Sequence, residues 1–164
     1  MEAGRPHRIA PIAPSEIRRI EAGILNYGAD MTLENNPFEV GLGWLVDLDK
    51  EADFIGQEAL RRIQAEGVKR KLVGVEIAGD PVPGLSQHNE HAWPVLYALR
   101  GEQIGHVPDA IYSPRLEKNI GYAMVPVEHA QLGTGLTVQA AWGLTTATVV
   151  RKPFLDPDKD IPKS

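Results

Sequence analysis

Between residues 71 and 152 the chain is a succession of short apolar–polar alternations with no helical stretch between them. Leu72, Val73, Val75 and Ile77 open the series, and residues 92–99, 102–106, 119–126, 136–141 and 144–152 continue it. A period of two is the mark of a strand with one buried face. The runs are split by Arg100-Gly101, Gly105, Gly133-Thr134-Gly135 and Trp142-Gly143, which favour turns. The 16 glycines and 13 prolines of the chain agree with many turns and short strands. Strands this short and this close leave no room for helical crossovers, so a mainly antiparallel small barrel or sandwich is expected.

Residues 1–67 have a different texture. Gly4, Pro6 and Pro11 make residues 1–12 an irregular lead-in. Ser15 is placed to cap a helix, with Glu16 at its positive end. Ile17, Ile20 and Ile24 follow at helical spacing, and Gly23 is a stop. Residues 25–36 are turn-rich. Phe38, Val40, Leu42, Trp44 and Val46 then alternate, which predicts a half-buried strand. On its opposite face Gly41 and Gly43 leave room either for a flat group or for a packed strand. The spacing predicts a helix over residues 57–66, with Ala59, Leu60 and Ile63 as its apolar stripe and Gly67 as its terminator. The change of texture near residues 67–71 marks a boundary between a short α/β part and an all-β part.

Composition narrows the chemistry. In a chain of 164 residues, 17 basic against 22 acidic side chains give a net charge of −5, so no broad phosphate-binding face and no nucleic-acid partner are expected. There is no cysteine, which excludes disulfides, thiolate metal sites and thiol nucleophiles. That fits a reducing, cytoplasmic setting. No apolar run approaches the ~20 residues that span a bilayer, so no membrane partner is expected. Of five histidines only His88 and His91 are close, with Glu90 between them, in a segment that reads as a loop. No P-loop, dinucleotide glycine fingerprint or nucleophile elbow is present. Glu21 and Asp30 bracket Tyr27 and are a candidate acid/base pair by spacing alone.

Arg18 and Arg19 are more informative. Consecutive helical residues point about 100° apart, so one can be solvated while the other faces inward. An inward arginine needs an anion or several acceptors. Its planar fork suits a ligand carboxylate or heterocycle edge, or a structural ion pair with Glu21, Asp30 or Glu39.

Arg19-Ile20-Glu21-Ala22-Gly23-Ile24 followed by Tyr27-Gly28-x-Asp30 resembles a segment of the glycine-cleavage T-proteins, the aminomethyltransferases. The likeness continues in order. Asn36-Pro37-Phe38-Glu39-x-Gly41-Leu42-x-Trp44 and residues 53–60 come next, then Gly101-x-x-Ile104-Gly105 and Ser113-Pro114-x-Leu116-x-x-Asn119-Ile120. Gly133-Thr134 and Pro153-Phe154 complete it. His106-Val107-Pro108-Asp109-Ala110 stands where T-proteins usually have Thr-Ser-Gly, and several motifs are similar to the dimethylsulfoniopropionate demethylase branch.

The resemblance implies an α+β, mainly antiparallel fold. Residues 1–67 would be the tail of a folate-binding domain, residues 68–157 a C-terminal Greek-key β-barrel, and residues 158–164 a tail. It implies tetrahydrofolate as cofactor and transfer of a one-carbon unit from a small amine, sulfonium or ether donor. Arg19 matches an arginine that contacts folate or substrate. Tyr27 and Trp44 match positions near the pocket wall, where core packing is the competing expectation. Lys159 lies near a pocket contact from the family's tail. Family members are more than twice this length, so the chain is expected to be incomplete alone. It would then dock on a separate N-terminal chain or self-associate through an apolar face of residues 1–67. As an alternative, it is a non-catalytic interaction module.

Overall fold

The computed structural model describes residues 14–51, 53–85, 92–97, 101–158 and 160–161. The His88–His91 segment and Lys159 lie outside these described residues.

The alternating region forms six strands: β1 (Arg70–Ile77), β2 (Trp93–Leu96), β3 (Gln103–Ser113), β4 (Lys118–Pro126), β5 (Gly135–Ala140) and β6 (Gly143–Val150). They close into a barrel in the order β1-β4-β3-β2-β5-β6, and every neighbouring pair is antiparallel. β2, β3 and β4 form a meander and β5 returns beside β2, which is a Greek key. Closure gives each of the six strands a neighbour on both sides.

Val75, Val95, Val107, Ala110, Ala123, Val125, Val138 and Val149 fill the barrel. Small β-branched side chains suit the narrow interior. The outer face of β1, β4 and β3 is covered as well. There Leu72, Ile111, Ile120, Tyr122 and Met124 pack with Ile20 and Val40. β4 is therefore buried on both faces from Asn119 to Val125. Each fully buried Ile or Leu contributes roughly 1.5–3 kcal/mol.

The covering layer begins with α1 (Glu16–Glu21), capped by Ser15 Oγ, which accepts from the Arg18 amide. α1 ends at the stop that Gly23 marks, short of Ile24. Gly23 adopts φ 71°, its amide donates to Ile20 O, and the Ile24 amide donates to Arg19 O. This paired capping ends the helix and turns Ile24 out to solvent, while Ile20 stays fully buried.

The strand expected over residues 38–46 does not form. Asn36 Oδ1 accepts from the Phe38 and Glu39 amides, and the Leu42 amide reaches back to Pro37 O. The segment winds into turns and a short 3₁₀ helix, Gly43–Leu45. Local capping by Asn36 outweighs the alternation. The flat group that approaches Gly43 is the chain's own Phe38 ring: a Cβ at Gly43 would lie 2.7 Å from it.

α2 (Gln57–Glu66) forms as the spacing predicts, and it ends at Gly67. Leu60 and Ile63 are half-buried, whereas Ala59 is exposed. Gln57 and Arg61 tie the helix down by donating to Leu48 O at 3.1 and 2.6 Å.

Candidate functional site

The densest polar cluster lies where α1 meets the barrel. Arg18 is exposed and Arg19 turns inward, as adjacent helical positions require. Arg19 Nε and Nη2 donate to Glu16 Oε1. Nη1 donates to Ile24 O at 2.8 Å and to Asp30 Oδ2 at 2.5 Å, and Nη2 to Asp109 Oδ2 at 2.6 Å. A guanidinium has five N–H donors, and all five are used. Of the carboxylates expected as partners only Asp30 is one. Glu39 pairs with Arg70 at 3.1 Å, and Glu21 accepts from Ser113 Oγ at 2.6 Å.

Asp109 joins the cluster because of a bulge. In the β3–β4 register His106 faces Met124 but Asp109 faces Tyr122, so β3 carries one extra residue around Pro108. Proline lacks the ladder donor and is tolerated at such a place. The bulge breaks the alternation, which is why β3 runs on to Ser113 when the pattern marked only residues 102–106.

Around this centre Tyr122 Oη donates to Ile24 O at 3.2 Å. Lys152 Nζ donates to Leu72 O and stands 5.5 Å from the Tyr122 ring centre. Burial works against the Arg19 charge, but Glu16, Asp30 and Asp109 outweigh it and hold the guanidinium protonated. For Asp30 burial prevails: its pKa is raised although the Asn26 amide and Arg19 both favour the carboxylate. Burial pushes the Tyr122 hydroxyl up and Lys152 down. One oxygen of Asp30, Oδ1, and one of Glu21, Oε2, are buried without a hydrogen-bond partner. Glu21 and Asp30 serve different partners, so the structure does not assemble them as an acid/base pair.

Tyr27 and Trp44 are not core residues. Tyr27 is 62% exposed in the turn that ends at Met31, and Trp44 is 79% exposed on the 3₁₀ turn. The capping that unwinds the predicted strand places Trp44 outside. Neither makes a hydrogen bond or ring contact with the Arg19 cluster among the described residues. Also among the described residues, no group of three or more His, Asp or Glu is arranged to hold a metal. None of the helices there is long and apolar enough to cross a membrane.

Sequence reasoning missed Glu16, Asp109, Tyr122 and Lys152. The only local signal was Pro108-Asp109 inside an otherwise apolar strand.

Residues 70–156 match the family model of the glycine cleavage T-protein C-terminal barrel domain. The chain belongs to the glycine cleavage T-protein family. The likeness to T-proteins extends well upstream of the barrel. The aminomethyltransferase of Symbiobacterium thermophilum is 40% identical over 156 residues, 94% of this chain and 40% of that protein. That of Synechococcus sp. strain CC9902 is 43% identical over 136 residues, 83% of this chain and 35% of that protein. The crystal structure of the aminomethyltransferase from Bartonella henselae superposes with a TM-score of 0.74 at 25% identity, covering 87% of this chain and 38% of that one. The chain thus spans well under half the length of the T-proteins it matches.

Proposed function

We propose that this chain is the C-terminal portion of a tetrahydrofolate-dependent transferase, which takes a one-carbon unit from a small amine, sulfonium or ether donor. The observation that carries this reading is the family match together with 40% identity to an aminomethyltransferase that runs through the Arg19 segment. In this reading residues 1–67 are the tail of the folate-binding part, residues 68–157 the barrel domain and residues 158–164 a tail. The setting is cytoplasmic, and neither nucleic acid nor membrane is a partner.

The residues fit tetrahydrofolate in part. Tyr27 and Trp44 present solvent-facing rings that can lie against a flat pterin. Arg19 offers no spare N–H to an anionic group. Its partners Glu16, Asp30 and Asp109 also leave the cluster net negative. A ligand reaches Arg19 in this reading only by exchange with a partner. Glu16 is the partner that can leave, because it is partly exposed while Asp30 and Asp109 are sealed. Lys159 is a further proposed contact. When bound, tetrahydrofolate supplies the acceptor for the one-carbon unit. This chain contributes rings, a held positive charge and a rigid barrel, which is a positioning role.

The test is calorimetry with tetrahydrofolate, followed by assays for aminomethyl transfer and for demethylation. The chain alone should bind weakly and turn nothing over. Adding the N-terminal portion of a T-protein should restore both. Full turnover by the chain alone, or no folate binding in either state, would overturn the proposal. In the latter case the alternative remains: a non-catalytic barrel that docks on another chain.

A further inference from the structure

The Arg19 cluster holds more negative charge than one guanidinium balances. Glu16, Asp30 and Asp109 all pair with Arg19; the Asp30 and Asp109 side chains are sealed from water, whereas Glu16 is partly exposed. Two buried carboxylates therefore share a single cation. The next positive charge, Lys152, is engaged elsewhere: Nζ donates to Leu72 O and stands over the Tyr122 ring. It acts on Asp30 through space. A buried carboxylate whose charge is not fully paired is costly, and binding a proton removes the charge.

Within Asp30 the two oxygens differ. Oδ2 accepts from the Asn26 amide at 2.6 Å and from Arg19 Nη1 at 2.5 Å. Oδ1 is buried with no hydrogen-bond partner among the described residues. Glu21 Oε2 also lacks one, but Arg115 Nη1 stands 3.8 Å from it. Asp109 has no such orphan oxygen among the described residues. A proton on Asp30 Oδ2 would displace a donor; on Oδ1 it displaces none. We propose that Asp30 Oδ1 carries a buried proton, and that this proton is a switch which sets how tightly α1 is clasped to the barrel. Arg19 and Glu16 face this centre from α1, Asp109 from β3, Tyr122 from β4 and Lys152 from the segment after β6. Arg19 stays charged and burial keeps the Tyr122 hydroxyl protonated. Burial first, then the Glu16 charge, favour the neutral Asp30 carboxyl, and they outweigh the Asn26 amide and Arg19. Losing the proton adds a bare charge beside Glu16 and Asp109, and the Arg19 clasp loosens. The folded pKa lies above the unfolded one, so this contribution is fully present below the unfolded value of about 3.9. It is lost as pH rises through the folded value, the reverse of an ordinary paired carboxylate.

The inference does not depend on the transferase reading, and the full chain tests it. The first measurement is an NMR titration of carboxyl-labelled aspartate, with the Asp30 resonance assigned through its own backbone. Its midpoint should lie above the unfolded value of about 3.9. A midpoint at or below that value overturns the proposal, and no variant is needed. The second is the thermal midpoint against pH for wild type and Asp30→Asn, a mimic of the neutral acid. His106 and Glu16 titrate in both proteins, so the difference isolates Asp30. Wild type should lose ground to the variant as pH rises through the Asp30 midpoint; a flat or rising difference sinks the idea. The third is hydrogen exchange of the Ala22 and Ile24 amides, which donate to Arg18 O and Arg19 O at the end of α1. Compared at equal pH, exchange should be several-fold faster in wild type than in Asp30→Asn above the midpoint and equal below it. Equal rates throughout would refute the switch. An Asp30→Asn chain that does not fold would count against it as well, because the amide is the closest mimic of the protonated carboxyl.

Discussion

Arg19 shows how one residue type supports two readings until its donors are counted. The sequence places an arginine facing inward from a short helix, and that much was legible from helical geometry alone. Its partners were not, because Asp109 lies 90 positions away and reaches Arg19 only through the β3 bulge. With all five donors used, Arg19 clamps α1 to the barrel. Arg19→Met would take the guanidinium away from the buried carboxylates of Asp30 and Asp109. Breaking a buried pair in this way costs about 3–5 kcal/mol. Urea unfolding should show that loss, and a loss below about 1 kcal/mol would mean the carboxylates find other partners or protons. His106 gives a pH signature. Burial, aided by the Arg70 charge, lowers its pKa below 6.5, so the folded state prefers the neutral ring. Its contribution is therefore fully present above the unfolded pKa of about 6.5 and is lost as pH falls through the lower folded value. His106→Gln should flatten the fall in thermal midpoint just below pH 6.5 and leave the behaviour above pH 7.5 unchanged in slope.

At the level of elements, the strands were readable because each buries one face in the barrel and so keeps the period of two. β4 and residues 38–46 depart from that rule for opposite reasons. β4 is apolar on both sides because α1 and Val40 cover its outer face. Residues 38–46 alternate without being a strand, because Asn36 supplies a cap that the alternation cannot reveal. Tyr27 and Trp44 fell outside the core for the same kind of reason, since local turns rather than hydrophobicity set where they point. Elements pack closely at Gly121 on β4, which sits opposite Ala110. A Cβ there would lie 2.4 Å from Asp109 O and 2.8 Å from Ala110 Cβ. Gly121→Ala must push β3 away from β4 and with it move Asp109 off Arg19. Overpacking of this kind costs about 1–3 kcal/mol. Thermal denaturation should show the loss, and little effect would mean that the bulge absorbs the methyl group.

For the whole molecule, the question is how far the barrel stands apart from the layer that covers it. Among the described residues the barrel interior is complete without residues 14–67: its core cluster draws only on residues from β1 onward. Its hydrogen-bond ladder also closes on itself. The outer face of β1, β4 and β3 is not complete. Without α1 and Val40, Leu72, Ile111, Ile120, Tyr122 and Met124 would face water. The Phe154 and Leu155 amides would lose Glu21 O, their acceptor at 2.9 and 3.0 Å. A fragment of residues 68–157 should therefore fold with the same strand order but unfold at lower urea and bind a hydrophobic dye. The coupling can be read at Asp109. In the full chain Asp109→Asn weakens a charged hydrogen bond to Arg19, a loss of about 1.5–3 kcal/mol. In the fragment Arg19 is gone, so the same substitution should cost less than it does in the full chain. Paired urea titrations of the four proteins measure the difference. Equal costs in chain and fragment would show that Asp109 is held by the barrel itself, and that the Arg19 clasp joins two parts that do not depend on it.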